Sequence, residues 1–218
     1  MKLCMIGTGY VGLVSGTCFA DIGNQVYCVD KDKSKIDKLN SGISPIYEPG
    51  LDELIKKNYD ANRLIFTTNT KKAINSSDLI FICVGTPTKK GSLKVDLSFV
   101  YKCAKEILKH TKKKKIIITK STVPVGTGDE IEKIIKKKKK LFSVISNPEF
   151  LREGEAIRDF RYPDRIVIGS DNKNEFKTMR KLYSPLISKG AKFFTTSRKG
   201  AELIKYASNA FLATKITF

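Results

Sequence analysis

Cysteine pairs at metal-ligand spacing are missing from this sequence: five cysteines occur, none in a CxxC arrangement, so no metal is expected. Cys4, Cys28 and Cys83 sit in apolar strand-like runs, where a small hydrophobe is expected, and Cys18 and Cys103 fall on helical stretches. All five read as buried and reduced, and none reads as a nucleophile. No apolar run approaches the length of a membrane span, so no membrane partner is expected. The opening Met1-Lys2-Leu3-Cys4-Met5-Ile6 soon meets glycines and then Asp21, which makes a poor secretion signal and a good buried first strand. A cytoplasmic protein is the simplest reading. Arginine is sparse, and the lysine runs at 112–115 and 136–140 carry no interleaved aromatics of the kind that stack single strands. The net charge of +19 therefore reads as a solvated surface, with no nucleic-acid partner. Each run lies where a helix ends, where lysine favours the helix dipole. There is no internal repeat and no low-complexity linker.

What is present is an alternation of short β-rich runs with helical stretches, the pattern of an α/β, Rossmann-like, doubly wound and mainly parallel sheet. Strands are expected at Lys2–Ile6, Gln25–Val29, Leu64–Thr67, Leu79–Val84, Lys115–Thr119, Phe142–Ser146, Arg165–Gly169 and Lys192–Thr195. Helices are expected at Val11–Ile22, Lys33–Asn40, Leu51–Lys57, Leu97–Lys109, Thr127–Lys137 and Lys173–Leu186. From Lys199 onward Ala201, Ile204, Ala207, Ser208, Phe211 and Leu212 keep a helical period that meets no stop signal before Phe218. Residues 1–198 are thus expected to form one domain, and residues 199–218 the start of a helix that has been cut.

The strongest local signal is Gly7-Thr8-Gly9-Tyr10-Val11-Gly12, which follows a strand and opens a helix. In that context it is a dinucleotide loop. Gly7 permits the tight turn, Gly9 lets the backbone approach a pyrophosphate, and Gly12 allows close helix–strand packing. The helix start, with Tyr10 and Val11, offers unpaired N–H groups to the phosphates. Asp30 ends the second strand eighteen positions beyond Gly12, close to the spacing for a carboxylate on the adenosine ribose. A carboxylate there repels the extra phosphate of NADP, so NAD is the expected cofactor. Lys31, Lys33 and Lys35 offset part of that repulsion, and Lys35 joins the cofactor-binding set. Thr86, in the loop after the fourth strand, is placed to donate to the same cofactor.

NAD binding names no reaction. A simple alcohol or 2-hydroxy-acid dehydrogenase often uses a histidine as acid–base group, and the single histidine, His110, sits at an exposed-looking helix end. Three other segments carry chemistry: Lys120-Ser121-Thr122-Val123-Pro124-Val125-Gly126-Thr127, Asn147-Pro148-Glu149-Phe150-Leu151-Arg152-Glu153-Gly154, and Lys205-Tyr206-Ala207-Ser208-Asn209. Two follow strands. In the third, Lys205 and Asn209 lie one turn apart on one helix face.

With Pro163-Asp164-Arg165-Ile166-Val167-Ile168-Gly169 and the Ala201–Lys215 helix, these motifs closely resemble the UDP-glucose/GDP-mannose dehydrogenase family, from Met1 to Phe218 without an evident gap. Within the family the resemblance is greatest to the branch acting on UDP-glucose. It implies oxidation of the primary alcohol of a nucleotide sugar to a carboxylate with two NAD per turnover, in polysaccharide or nucleotide-sugar biosynthesis. A cysteine thiolate captures the intermediate aldehyde, and the resulting thioester is hydrolysed. Carried over residue by residue, Lys205 stabilises oxyanions with help from Asn209, and Thr122 and Glu149 position water and handle protons. Glu153 supports hydrolysis and the cofactor side, and backbone from Phe150 through Leu151 to Arg152 touches the sugar. The glycine-rich cysteine loop of the family has no counterpart here, nor has its second, UDP-holding domain. The chain is therefore expected to be an N-terminal half that binds NAD without completing the four-electron oxidation. The longer enzyme is expected to be a homodimer through the cut helix. Rival readings are a GDP-mannose or UDP-N-acetylhexosamine dehydrogenase, and a non-catalytic NAD-binding fragment.

Overall fold

A computed structural model describes residues 1–111 and 113–218; Lys112 and the side chains of Lys137 and Lys139, from the two lysine runs, lie outside what is described. Among the described residues the strands are β1 (Lys2–Ile6), β2 (Gln25–Val29), β3 (Leu64–Thr67), β4 (Leu79–Ile82), β5 (Lys115–Thr119), β6 (Phe142–Ser146), β7 (Arg165–Gly169) and β8 (Lys192–Thr196). They form one sheet in the order β3-β2-β1-β4-β5-β6-β7-β8. All neighbours are parallel except β6 and β7, which meet antiparallel through the single pair Ser146 and Gly169. The expected Rossmann-like, mainly parallel α/β fold is the observed one.

Helices α1 (Tyr10–Asp21), α2 (Lys33–Asn40), α3 (Leu51–Asp60), α4 (Thr70–Ser76), α5 (Ser98–His110), α6 (Thr127–Ile135), α7 (Ala156–Arg161), α8 (Lys173–Leu182), α9 (Ser184–Ile187) and α10 (Arg198–Thr217) complete the chain. Alternate residues of a strand point to opposite faces, so β1 feeds two cores at once. Leu3 and Met5 join Leu13, Phe19, Phe81, Phe160 and Tyr183 on one face. Cys4 and Ile6 join Ile80, Ile82, Val100, Ala104, Ile117 and Ile131 on the other. Phe19 is central to the first core, with ring centroids of Phe160, Phe81 and Tyr183 at 4.9, 5.3 and 5.4 Å.

Several expectations need correction. The strand expected to reach Val84 leaves the ladder after Ile82, where the chain turns against the Gly7 loop. The expected Lys173–Leu186 helix breaks at Tyr183, because Pro185 opens α9 and lacks the N–H a continuous helix needs. The helix expected to reach Lys137 ends at Ile135 and tightens into a 3-10 segment, Lys136–Leu141. Helices α4 and α7, of seven and six residues, are too short to show a period and were not foreseen. Lys115 is not surface: it is buried, and its ammonium donates to the carbonyls of Asn75 and Ser77 at the end of α4. Lys138 does serve a helix end, donating to Leu108 on α5 at 3.1 Å. His110 is half-buried rather than exposed and meets Glu106 at 3.1 Å, and Cys103 is half-buried rather than buried.

Candidate active site

The glycine loop is shaped by contacts a side chain would destroy. Gly7 has φ +102°, and a Cβ there would lie 2.8 Å from the Cys83 carbonyl oxygen. A Cβ on Gly12 would lie 1.9 Å from the Gly7 carbonyl oxygen, so Gly12 first makes room for its own loop. Gly12 also permits the close approach expected of it, since its Cβ would stand 3.0 Å from Cys83 Cβ just after β4, and Gly16 does the same one turn on, 2.6 Å from Cys28 Sγ. Gly9 differs from all three: a Cβ there would meet nothing within 4 Å. It starts α1 with no side-chain cap and no acid in the first turn. The amides opening α1 at Tyr10 and Val11 therefore have no capping side chain as acceptor, the arrangement that suits a pyrophosphate.

Asp30 lies beside this loop at the end of β2. Its Oδ2 accepts from the Thr8 amide at 3.0 Å, the Thr8 hydroxyl at 2.8 Å and Lys35 Nζ at 3.2 Å, while Oδ1 accepts from the Asp32 amide at 3.1 Å. Burial pushes the carboxyl pKa up, but the bonds from Thr8 and Asp32 outweigh it and hold the group below the ordinary range. Asp30 thus stays charged, with lone pairs on Oδ1 left for a ribose hydroxyl. Across the sheet, the Thr86 hydroxyl donates to the Thr122 carbonyl at 2.9 Å, so the proton expected to serve a cofactor is already committed.

A second network ties the cofactor loop to the segment after β6. The Tyr10 hydroxyl donates to Glu48 Oε2, which also accepts from the Gly154 amide at 2.8 Å; Glu48 Oε1 accepts from the Ile157 amide at 3.3 Å. Glu48 is buried, and burial followed by the Glu48 bond pushes the Tyr10 phenol well above its usual pKa. Glu48 stands in the loop Tyr47-Glu48-Pro49-Gly50, which carries no motif in the sequence. Its one signal was an acid among turn residues.

The segment after β6, the chain leading into β7 and the face of α10 from Lys205 to Lys215 line a cavity of about 860 Å³, within the usual range for a small-molecule site. Its lining includes Lys120, Asn147, Glu149, Phe150, Arg152, Lys205 and Asn209. Lys205 Nζ and Glu149 Oε1 form an ion pair at 3.1 Å, both side chains largely buried. Glu149 Oε2 also accepts from the Leu151 amide at 2.5 Å, which fixes the carboxylate between chain and lysine. Phe150 lies under two cations, Arg165 at 4.3 Å and Lys205 at 5.3 Å from the ring centroid. Arg152 is exposed and held by Asp159 at 2.7 Å. Asn147 is immobilised from both sides: Tyr183 OH donates to it at 2.6 Å, and its Nδ2 donates to the Val167 carbonyl at 3.1 Å.

The NAD binding domain of the UDP-glucose/GDP-mannose dehydrogenase family matches residues 1–187. UDP-glucose 6-dehydrogenase of Rhizobium meliloti is 53% identical over all of this chain and 51% of its own length. The Bacillus subtilis UDP-glucose 6-dehydrogenase TuaD is 51% identical over all of this chain and 47% of its own. Among solved structures, GDP-mannose dehydrogenase of Pseudomonas aeruginosa superposes with a TM-score of 0.94 at 36% identity, covering all of this chain and 51% of that one. The UDP-glucose dehydrogenase of Pyrobaculum islandicum gives 0.92 at 37% identity, over 99% of this chain and 50% of that one. The chain belongs to the UDP-glucose/GDP-mannose dehydrogenase family. It spans about half the length of the relatives it matches. The part matched is the family's NAD-binding domain, so NAD is its cofactor.

Against the family resemblance, the structure gathers some expected residues and separates others. Glu149, Phe150, Leu151, Arg152, Lys205 and Asn209 line one cavity. Thr122 and Glu153 do not line it. Glu153 is exposed, and its charge bears on the Tyr10 hydroxyl; the Thr122 carbonyl holds Thr86. No cysteine of this chain is set up as a thiolate: burial pushes Cys18 and Cys83 up to about 12 and Cys103 up to about 11, and raises Cys4 and Cys28 well above the ordinary thiol value. Glu202, unremarked in the sequence, explains how α10 is seated. Its buried carboxylate accepts from the Gly126 amide at 2.6 Å, the Gly128 amide at 2.8 Å and the Ser146 hydroxyl at 3.2 Å. It therefore caps the N-terminus of α6 from another helix, and Lys205 follows one turn later on α10. Among the described residues no helix is long and apolar enough to cross a membrane.

Proposed function

We propose that these residues form the cofactor-binding part, and one wall of the sugar site, of an enzyme that oxidises UDP-glucose to UDP-glucuronate. When bound, NAD accepts the hydride from the sugar carbon. The residues of this chain do the rest of what is described here. The amides at Gly9, Tyr10 and Val11 take the pyrophosphate, and Asp30 with Lys35 takes the adenosine ribose. Lys205, held by Glu149 at 3.1 Å with both side chains largely buried, offers a cation to the sugar oxygen, which is negative once its proton has gone and before hydride leaves. Glu149 manages that lysine's charge and the protons of the hydrolytic step. Asn209 and the backbone from Phe150 to Arg152 hold the sugar. Thr122 and Glu153 take the cofactor side, beside Thr86 and Tyr10. The thiol required to hold the aldehyde in this reading is none of the five described above. Residues 1–198 are the cofactor domain in this reading, and 199–218 open the helix through which the longer enzyme dimerises.

The observation that carries the reading is the buried Glu149–Lys205 pair, in one cavity with Asn209 and across a hydrogen-bonded Glu48–Tyr10 link from an uncapped dinucleotide helix. GDP-mannose is the second reading, favoured by the close superposition on the Pseudomonas aeruginosa enzyme. Calorimetric titration separates them. NAD is expected to bind alone, and UDP-glucose to bind the NAD-loaded chain more tightly than GDP-mannose. No heat with NAD sinks the cofactor assignment; a reversed sugar order sinks the UDP-glucose assignment.

A further inference from the structure

The cavity is lined by more cations than acids, Lys120, Arg152, Arg158, Arg165, Lys205 and Lys215 against Glu149, Asp159 and Asp164, and Lys120 is the most enclosed of them without an acid of its own. Glu149 is answered by Lys205 at 3.1 Å, yet Lys120, at the carboxyl end of β5, lines the same space and is only 4% exposed. Among the described residues its ammonium makes no hydrogen bond and no ion pair. Among the groups whose charge bears on it, Glu149 is the one carboxylate. Beyond β4 stands the Cys83 thiol, which burial pushes up to about 12 and so keeps neutral. The loop after β6 brings Glu149, already engaged, and α10 brings Lys205, a like charge. The adjacent Ser121 hydroxyl donates to the carbonyls of Val84 and Ile82 and turns away. Burial and the Lys205 charge together disfavour the ammonium, which lowers its pKa from the ordinary lysine value. A buried unpaired cation is costly, and packing alone is better served by methionine or leucine. Its place on the wall of a ligand cavity points to a partner that arrives with the ligand.

We infer that Lys120 is a carboxylate-binding residue: with Lys205 it takes the oxygens of a sugar acid in this cavity. The inference rests on the sugar-oxidising reading above and adds to it a second cation, selective for the oxidised end of the substrate over the alcohol. A side chain that only shaped the cavity would not distinguish the two.

The test uses the 218-residue chain, NAD(H) at saturation, and calorimetry with UDP-glucuronate and UDP-glucose, in wild type and Lys120→Met. The variant is expected to bind UDP-glucuronate about tenfold more weakly, the weight of one charge-assisted hydrogen bond. UDP-glucose and NAD affinities should change little, and the melting temperature should hold or rise. Equal losses for both sugars, or no loss for either, overturn the inference. So does a wild-type chain that binds NAD but not UDP-glucuronate, a result that leaves the cofactor assignment standing. Failure of NAD to bind strikes the assignment of the cofactor instead, and the UDP-glucuronate arm still decides Lys120. A measurement on wild type alone guards against a misfolded variant: reductive methylation read by mass spectrometry. UDP-glucuronate should protect Lys120 more than UDP-glucose does, and equal protection overturns the inference.

Discussion

The carboxylate of Glu202, on α10, accepts a hydrogen bond from the amide of Gly128, on α6, at 2.8 Å. With the Gly126 amide also bound, one side chain closes the N-terminus of one helix and seats another. Glu202→Gln puts an NH₂ group where acceptors are needed, and a loss of about 1–3 kcal/mol is expected in chemical denaturation. The pH dependence has a definite sign. Burial raises the folded-state pKa of Glu202 despite the bonds from Gly126, Gly128 and Ser146. The folded state therefore holds the proton more tightly, and stability falls as pH climbs from the unfolded value of about 4.3 through the higher folded one. The glutamine variant should lack that slope. An unchanged slope would remove Glu202 as its source.

Two glycines of α1 should respond in opposite ways to alanine. At Gly16 the new methyl would stand 2.6 Å from Cys28 Sγ and 3.1 Å from Met5 Cγ. Overpacking of this kind costs about 1–3 kcal/mol and should appear as a lower melting temperature. Gly9→Ala has φ −72° and no atom within 4 Å, so its melting temperature should stay near that of wild type. NAD affinity, by contrast, should fall at least about tenfold, since the methyl occupies the approach to the pyrophosphate. A Gly9→Ala chain that binds NAD normally would refute the placement of the phosphates.

Asp30→Asn should weaken NAD by roughly tenfold and narrow the preference over NADP, because the charge that repels a 2′-phosphate is gone while Lys35 remains. Paired titrations with the two cofactors give the ratio directly. An unaltered ratio would mean that Asp30 serves only to anchor Thr8.

Glu48→Ala removes the acceptor shared by Tyr10, Gly154 and Ile157. Amide hydrogen exchange at Gly154 and Ile157 should quicken by roughly tenfold or more, and bound NAD should lose part of its protective effect there. Protection at both amides that survives the substitution would show that Glu48 is not the clamp.

Most of the sheet was legible in the sequence because parallel strands buried on both faces read as runs of Ile, Val and Phe, and six of eight strand spans came out with their observed bounds. Side chains that act near their own sequence neighbours were legible too: Asp30 follows its strand, and Lys205 and Asn209 share a helix face. What stayed hidden acts across the fold. Glu48 reaches residues more than a hundred positions away, and Glu202 reaches a helix more than seventy positions back. Neither contact leaves a local pattern. The unpaired state of Lys120 was hidden for a related reason: it depends on which acid Lys205 claims, and that is a matter of distances. Thr122 and Glu153 show the converse, since a motif read along the chain cannot tell which of its members turn toward which cavity.

The joint between β6 and β7 has one further consequence. Only Ser146 and Gly169 pair across it, while β7 and β8 share five parallel pairs. The outer two strands are therefore held less by the backbone ladder than by side chains: Asn147 on the Val167 carbonyl, Ala201 packed so tightly on Gly169 that no Cβ fits, and Ile166 and Ile168 in the core of Phe19. Under mechanical or chemical load the molecule should come apart there first. The β7–β8 ribbon would loosen while the six-stranded block around the dinucleotide loop still stands, and α10, tied to α6 through Glu202 and Arg198, would keep Lys205 on Glu149.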